Sequence, residues 1–228
     1  MSINNQKLAR LAGGIYLITV ITGIFSLMYV PNKIFIWDDF KKTIQLFQEF
    51  EWLFRLSIVS EVICYSVFLI LPIVLYFLLK KVNRNISQSM ILFVSVAVPI
   101  SLLAISHKLN ILETLSNDSL KQIDVEQLQI QIGLYYNKIK IAQIFWGLWL
   151  LPFGYLIYVS GIIPKLLGVF LMVGGIGYMV NFIGPILFPN FTQSIIPTIA
   201  KIPSSIGEIG TCLWLLIIGI KKEFRYEN

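Results

Sequence analysis

The chain has 228 residues, of which 57% are hydrophobic and only 13% are charged, and its mean hydropathy is +0.78. A soluble domain has about 25% charged residues, so this composition excludes a soluble protein and indicates an integral membrane protein. The net charge of +6 comes from positive residues beside apolar runs, without a basic stripe, which argues against a nucleic-acid partner. Short connectors join the apolar runs, so residues 1–228 are predicted to form a single transmembrane domain.

The first predicted element is a membrane-spanning helix from Leu11 to Val30 that ends at Pro31. It is too long for the core of a signal peptide and lacks a small-residue cleavage site. In the polar connector that follows, Asp38 and Asp39 are candidates to cap a short helix. That helix is predicted to be amphipathic and to lie in the membrane interface or cover the bundle. Its apolar residues at helical spacing are Ile36, Phe40, Ile44 and Phe47.

The next three spans are predicted at Trp52–Leu79, Ser89–Leu109 and Ile139–Val159. Residues 110–138 are predicted to be a polar connector. Its segment from Asp118 has apolar residues at helical spacing, so we expect a helix that runs into the fourth span or packs against it. Those residues are Leu128, Ile132, Tyr135, Tyr136 and Ile139.

The fifth span is an uncharged run from Leu166 to Leu187. Its 22 residues would measure roughly 33 Å as a helix, enough to cross a hydrocarbon core of about 30 Å. Gly168 and Gly175 lie on one face of this helix, and Gly177 and Gly184 lie on nearly the opposite face, which predicts close packing on two sides. Prolines break residues 188–203 into a predicted interfacial or re-entrant connector, and residues 204–220 form the sixth span. The predicted fold is therefore all-α, a bundle of six transmembrane helices with amphipathic outer connectors.

Six spans place both termini on the same side of the membrane. Positive residues lie close to the helix ends on that side, in short loops with few acids, which predicts that both termini are cytoplasmic. The expected location is the plasma (inner) membrane, which the family resemblance described below implies. The same basic ends are expected to meet anionic lipid headgroups of the bilayer. They are Lys7, Arg10, Lys80, Lys81, Arg84, Lys165, Lys221, Lys222 and Arg225.

Four polar residues inside or near the spans are the candidate ligand-binding residues, namely Arg55, Glu61, Asn181 and Glu208. All four are predicted in the outer half of the membrane, so they would line a pocket open to the outside. Because an ionised carboxylate is costly in lipid, Glu61 should face protein or water. Arg55 is a plausible partner for Glu51, one turn back, or for an acid on a neighbouring helix. The alternative is a structural cluster that holds the helices together, with Glu61 protonated or salt-bridged.

Known catalytic and cofactor motifs do not account for these residues. His107 is the single histidine and has no fixed metal-ligand spacing around it, so a metal site is not predicted. Cys64 and Cys212 are isolated in apolar spans and form neither a redox pair nor a metal box. No phosphate-binding loop or nucleophile elbow is present, and no cofactor or catalytic residue is predicted.

Several short blocks resemble an uncharacterised bacterial membrane-protein family, the domain of unknown function 4386. The blocks are ARLAGGIYLI, FRLSIVSE, KKVNR, SGIIPKLLGVFLMVGGIGYMVN and IGEIGTCLWLLIIGIK. The sequence departs from the family pattern at Ser87-Gln88-Ser89, where the family has an arginine at the start of the third helix. The resemblance implies a multi-helix inner-membrane protein without an established activity. Residues of this chain that match the family pattern are Arg55, Pro164, Gly168, Gly177, Tyr178 and Glu208.

Three functions remain open at this point. The first is a non-enzymatic protein that binds or passes a small molecule or lipid through the outward-facing pocket. The second is an intramembrane enzyme that uses Glu61 and Glu208 as acid and base. The third is a structural or accessory subunit whose protein partners the sequence does not identify.

Overall fold

The structure is a computed structural model that describes residues 5–116 and 125–221. All regular secondary structure in these two ranges is helical, which confirms the predicted all-α class. A short 3₁₀ turn at Phe191–Gln193 precedes the last helix. The seven helices are α1 Asn5–Ile34, α2 Phe40–Glu49, α3 Glu51–Leu79, α4 Arg84–Ser116, α5 Val125–Ser160, α6 Lys165–Leu187 and α7 Ile196–Ile217.

Six of these helices have the length of a membrane span. Five of them, α1, α3, α4, α5 and α6, are both long and apolar enough to cross a bilayer. The sixth, α7, has 22 residues and so measures about 33 Å, but its first half carries Lys201 and two serines. The protein is thus a polytopic membrane protein whose fold agrees with the predicted six-helix bundle.

The six long helices form a closed ring. Each packs against the long helix before it and the one after it in the chain, and α1 packs against α7. Tight turns at residues 80–83 and 161–164 make successive helices antiparallel. One end of the bundle holds those two turns, Asn5 and Ile218, and we call it the basic end. The other end holds α2 and is called the connector end. Within the described ranges the basic end carries seven Lys or Arg residues and no acid.

The predicted glycine seams of α6 are confirmed. A Cβ atom on Gly168 would lie 2.6 Å from the Gly154 carbonyl oxygen, and one on Gly175 would lie 2.7 Å from the Gly147 carbonyl oxygen, so this face packs directly on α5. On the opposite face, a Cβ on Gly177 would lie 2.0 Å from the Ala200 carbonyl oxygen of α7. Backbones approach this closely only where no side chain separates them.

The first helix is longer than predicted and contains a π-helical turn. Residues Phe25–Tyr29 form this turn, and α-helix resumes at Val30 and continues through Pro31 to Ile34. Pro31 was predicted to end the helix, and this is wrong. A proline has no N–H group to donate to a carbonyl of the preceding turn. Pro31 lies in the first turn of the α-helical segment that follows the π turn, and proline is tolerated at that position.

Three other predicted boundaries also need correction. Residues 110–138 are not one connector, because α4 continues to Ser116 and α5 begins at Val125. The segment from Asp118 to Asp124 lies outside the described residues, but from Val125 the predicted helix does run into the fourth span. Residues 196–203 are the first two turns of α7 and not a broken connector. Pro197 lies in the first turn, where no N–H partner is lost, and Pro203 lies inside the helix, as prolines of membrane helices often do.

The short helix α2 covers the connector end of the bundle. The Asp39 carboxylate accepts a hydrogen bond from the backbone N–H of Lys42 at 3.0 Å, which confirms the predicted cap. Phe47 is fully buried, and its ring lies 5.0 Å from that of Phe54 on α3. The apolar face of α2 is therefore turned toward the bundle interior.

Candidate functional site

A buried ion pair joins α3 to α4 in the half of the bundle nearer the connector end. The Lys108 ammonium nitrogen lies 2.6 Å from the Glu61 Oε2 atom, and the two side chains are 1% and 0% exposed. An isolated charge at such a position would cost several kcal/mol, so each group depends on the other. The prediction that Glu61 faces protein or water is confirmed, and its partner is an opposite charge.

Two tyrosines complete the surroundings of the Glu61 carboxylate. The hydroxyl of Tyr135 on α5 donates to Oε1 at 2.7 Å, and that of Tyr65, one turn along α3, donates to the same oxygen at 3.1 Å. Both tyrosine rings are buried. Helices α3, α4 and α5 therefore meet at this single carboxylate, which has polar partners on both oxygens.

The Lys108 ammonium has further partners on its other sides. It lies 3.4 Å from the backbone carbonyl oxygen of Ser26, in the π turn of α1. The ring centroids of Tyr135 and Phe54 lie 4.8 Å and 5.9 Å from it, distances at which a cation is attracted to an aromatic face. The ammonium thus lies between a carboxylate, a carbonyl oxygen and two rings. We call Glu61, Lys108, Tyr65, Tyr135 and the Ser26 carbonyl the ion-pair cluster.

A polar cavity of about 280 Å³ opens at the connector end between α4 and α5. Behind it, His107 Nδ1 lies 2.7 Å from Gln131 Oε1, and His107 Nε2 contacts the Lys138 ammonium. A neutral imidazole with its proton on Nδ1 satisfies both contacts, since it donates to the amide oxygen and accepts from the lysine. The cavity is lined by Asn110, Glu113, Thr114, Gln127 and Gln131.

The cavity and the ion-pair cluster are neighbours along α5. Gln131 lines the cavity, and Tyr135, one helical turn further, donates to Glu61. Residues four apart lie on the same face of a helix, so one face of α5 leads from the polar opening to the buried carboxylate. On α4, His107 and Lys108 are consecutive in the chain. His107 contacts Gln131 of the cavity lining, and Lys108 contacts Glu61 of the ion-pair cluster.

A second carboxyl group, Glu208, lies deeper in the bundle between α1, α6 and α7. The hydroxyls of Tyr16 and Tyr178 lie 3.3 Å and 3.5 Å from its two oxygens. Because α7 begins at Ile196, Glu208 is twelve residues, or about 18 Å, from the connector end of its helix. The predicted position of Glu208, four residues into the sixth span, is therefore wrong, whereas its location in the outer half of the membrane stays a prediction.

A group of aromatic side chains packs around Tyr16, the partner of Glu208. The Trp149 ring is buried and contacts Tyr16 on one side and Phe68 on the other, at centroid distances of 6.1 Å and 5.3 Å. Phe153 stacks on Trp149 at 5.1 Å. Among the recorded hydrogen bonds and ion pairs of the described ranges, none joins Glu61 to Glu208. The two carboxyl groups thus have separate partners, Glu61 on α3, α4 and α5 and Glu208 on α1 and α6.

The other two predicted site residues have local partners. Arg55 lies at the connector end of α3, and its Nε and Nη2 atoms are 2.8 Å and 2.6 Å from Glu51 Oε1, which confirms the predicted pair one turn apart. The Asn181 amide donates to the Pro197 carbonyl oxygen at 3.3 Å and so ties α6 to the start of α7. That Arg55, Glu61, Asn181 and Glu208 line one pocket stays a prediction, because each has different partners here.

Sequence reasoning did not identify Lys108 or the tyrosines of the ion-pair cluster. A usable signal was present, since Lys108 and Glu61 are opposite charges in consecutive antiparallel helices. Glu61 lies ten residues, about 15 Å, from the connector end of α3, and Lys108 lies eight residues, about 12 Å, from that end of α4. The match in depth was hidden because the third span was predicted to end at Leu109.

Comparison with known proteins gives a family but not an activity. An uncharacterised protein from Archaeoglobus fulgidus is 29% identical over 150 residues, which cover 65% of this chain and 75% of that protein. Because this relative is archaeal, it does not support the prediction that the protein is bacterial. No solved structure matches the chain. The profile of the domain of unknown function DUF4386 matches residues 11–219, nearly the whole chain. The protein therefore belongs to the DUF4386 family of unknown function.

Proposed function

We propose that this multi-pass membrane protein binds or passes a small molecule or lipid that enters from the connector end, with the ion-pair cluster as its recognition site. The observation that carries the proposal is the buried Glu61–Lys108 pair directly beyond a polar opening. Buried ion pairs are replaceable by apolar residues at little or no cost in stability, so packing alone does not explain one. An ionisable group inside a membrane is by default a candidate for a functional site.

Sidedness follows from charge in this proposal. The basic end, with its excess of Lys and Arg next to helix ends, faces the cytoplasm, and the connector end faces outward across the plasma membrane. Both termini are then cytoplasmic. The basic residues also attract anionic headgroups, each contributing about 1 kcal/mol near the surface.

The remaining predicted residues take separate roles along the route. Arg55 lies near the entrance, where it presents a charge to an approaching ligand. Glu61 is a buried carboxylate ten residues from the connector end of α3. Asn181 lies six residues from the connector end of α6, and Glu208 lies twelve residues from that end of α7, so a ligand would reach the depth of Asn181 before that of Glu208. This order distinguishes binding at Glu61 from passage beyond it.

A thermal-shift screen of purified protein in detergent against lipids and small molecules tests the proposal. We expect at least one compound to raise the melting temperature of the wild type, and Glu61→Gln to abolish that shift. Glu49→Gln is the matched control, since Glu49 is an exposed glutamate at the connector end. If no compound shifts the wild type while Glu61→Gln melts lower than Glu49→Gln, the cluster is structural and the proposal fails.

One observation favours the structural or accessory function as the second candidate. Each polar atom of the ion pair already has a partner within the protein, so the cluster links α1, α3, α4 and α5 without any ligand. The enzyme alternative would need Glu61 and Glu208 to act on one substrate, but the two carboxyl groups share no partner and lie in clusters formed by different helices. We therefore rank it third.

A further inference from the structure

The surroundings of the Lys108 ammonium group consist of groups that attract a cation. Four groups from three other helices surround it: the Glu61 carboxylate, the Ser26 carbonyl oxygen, and the rings of Tyr135 and Phe54. The two hydroxyls on Glu61 hold its other oxygen, which leaves Oε2 facing the ammonium at 2.6 Å. A carboxylate, a carbonyl and aromatic faces are the groups that recognise an organic ammonium ion.

The Ser26 carbonyl is available because of the sequence of α1. In the π turn, the Val30 N–H bonds to the Phe25 carbonyl five residues back, so it does not serve Ser26. The next amide in the same pattern would be that of Pro31, which has no N–H. The carbonyl oxygen of Ser26 therefore accepts from Lys108 in place of a backbone donor. The π turn and the proline together aim a main-chain acceptor into the cluster.

We propose that the ion-pair cluster is a binding site for a primary ammonium group, and that Lys108 is its built-in occupant, displaced by a ligand carrying the same group. The inference rests on the proposed function and names its ligand class. A primary ammonium has three N–H donors, which match Glu61 Oε2, the Ser26 carbonyl and a ring face. A quaternary ammonium has no N–H donor and would lose the first two. The ammonium could belong to a free amine or to an aminolipid headgroup.

Chemical rescue of a cavity variant tests the site without knowledge of the natural ligand. Lys108→Ala removes the atoms of propylammonium, so free propylammonium is the matched probe. At pH 8, we expect propylammonium to raise the melting temperature of Lys108→Ala by roughly 4 °C or more, because a ligand that binds the folded state and not the unfolded chain stabilises the fold. Propanol, which has the same length without the charge, should give no shift, and choline should give little. Lys140→Ala, which removes an exposed lysine of α5, should not respond to any of the three.

The double variant Glu61→Gln/Lys108→Ala decides whether the carboxylate is the partner. It should keep the space but lose the propylammonium response. An equal response in the double variant, an equal response to propanol, or no response of Lys108→Ala to any amine would overturn the inference. If Lys108→Ala is not recovered as folded protein, detergent extraction with and without propylammonium, followed by size-exclusion chromatography, replaces the melting curve. A monodisperse peak that needs the amine supports the site, and its absence in both conditions contradicts it.

A lipid arm separates the two sources of the ammonium group. Wild type and Lys108→Ala are melted in mixed micelles of detergent and phosphatidylcholine, with and without added phosphatidylethanolamine. Stabilisation by the aminolipid as well as by propylammonium assigns the site to a headgroup, and stabilisation by propylammonium alone assigns it to a soluble amine. The rescue result is independent of the wild-type ligand screen. Rescue of Lys108→Ala without any wild-type shift would show that the emptied space accepts an ammonium group, but it would overturn the displacement of Lys108 by a ligand and, with it, the proposed function. A wild-type shift without rescue would overturn the ammonium site and leave the proposed function standing.

Discussion

Removing one partner of the Glu61–Lys108 pair should cost far more stability than removing both. Both side chains are at most 1% exposed, so solvent does not screen the charge that remains. Glu61→Gln leaves the Lys108 ammonium with a carbonyl oxygen at 3.4 Å and two aromatic rings. Breaking a buried pair in this way costs about 3–5 kcal/mol. For a chain of this size that corresponds to a fall in melting temperature of about 6–20 °C.

The double variant Glu61→Gln/Lys108→Met should recover most of this loss. Methionine keeps the unbranched shape of the lysine chain, and the glutamine oxygen still accepts from Tyr65 and Tyr135. Replacing a buried ion pair by neutral groups of similar volume is neutral or stabilising in many proteins. We therefore expect the double variant to lie within about 1 kcal/mol of the wild type.

Equilibrium unfolding in mixed micelles of mild detergent and dodecyl sulfate gives the four free energies of this cycle. An interaction energy above about 2 kcal/mol would exceed the roughly 0.6 kcal/mol typical of a hydrogen bond between membrane helices. That result would establish a true charge pair. If the losses of the two single variants add within about 0.5 kcal/mol in the double variant, the residues act independently and the reasoning is refuted.

Three further predictions concern the fold around the site. Gly177→Ala should lower the melting temperature by several degrees, because its Cβ would lie 2.0 Å from the Ala200 carbonyl oxygen, whereas Gly133→Ala, with no atom within 4 Å, should be neutral or stabilising by up to about 1 kcal/mol. Asp39→Ala should cost about 1 kcal/mol through loss of the α2 cap, and an unchanged unfolding free energy would contradict the capping role. Arg55→Gln should change stability by less than about 1 kcal/mol, since its ion pair is about 40% exposed, and a larger loss would show a role beyond that pair.

Much of the fold could be predicted from the sequence because its signals are local. The seven-residue spacing of glycines in α6 determines which faces pack, and both faces do pack as predicted, Gly168 and Gly175 on α5 and Gly177 on α7. The amphipathic pattern and acidic cap of α2 are likewise contained within a dozen residues. Burial of Glu61 followed from the cost of a charge in lipid alone.

Helix boundaries near prolines and polar residues were less predictable, for a physical reason. A proline removes a helix hydrogen bond only where its missing N–H would be used, and even that is tolerated in membrane helices, since the described residues include five prolines inside helices. The π turn before Pro31 and the position of Pro197 in the first turn of α7 both avoid that loss. Whether a proline ends a helix therefore depends on hydrogen bonding around it, which the residue type alone does not specify.

The candidate site needed tertiary information for the same kind of reason. Glu61 was recognised as unusual in an apolar helix, but its partners Lys108 and Tyr135 are 47 and 74 positions away in the chain. Pairing them requires the depth of each residue in the bundle, and an error of seven residues at the end of α4 concealed it. Glu208 was placed only four residues into its helix because of a similar error at the start of α7, which begins at Ile196.

The most direct test of the central claim compares ligand-induced melting shifts of the wild type and the double variant Glu61→Gln/Lys108→Met. Our account predicts that an amine or aminolipid stabilises the wild type, and that the double variant, equally well folded, shows no shift. A protein whose ion pair only holds the helices together would behave differently. No compound would shift the wild type, or the shift would be the same in both proteins, and either result would contradict the assignment of this cluster as a ligand site.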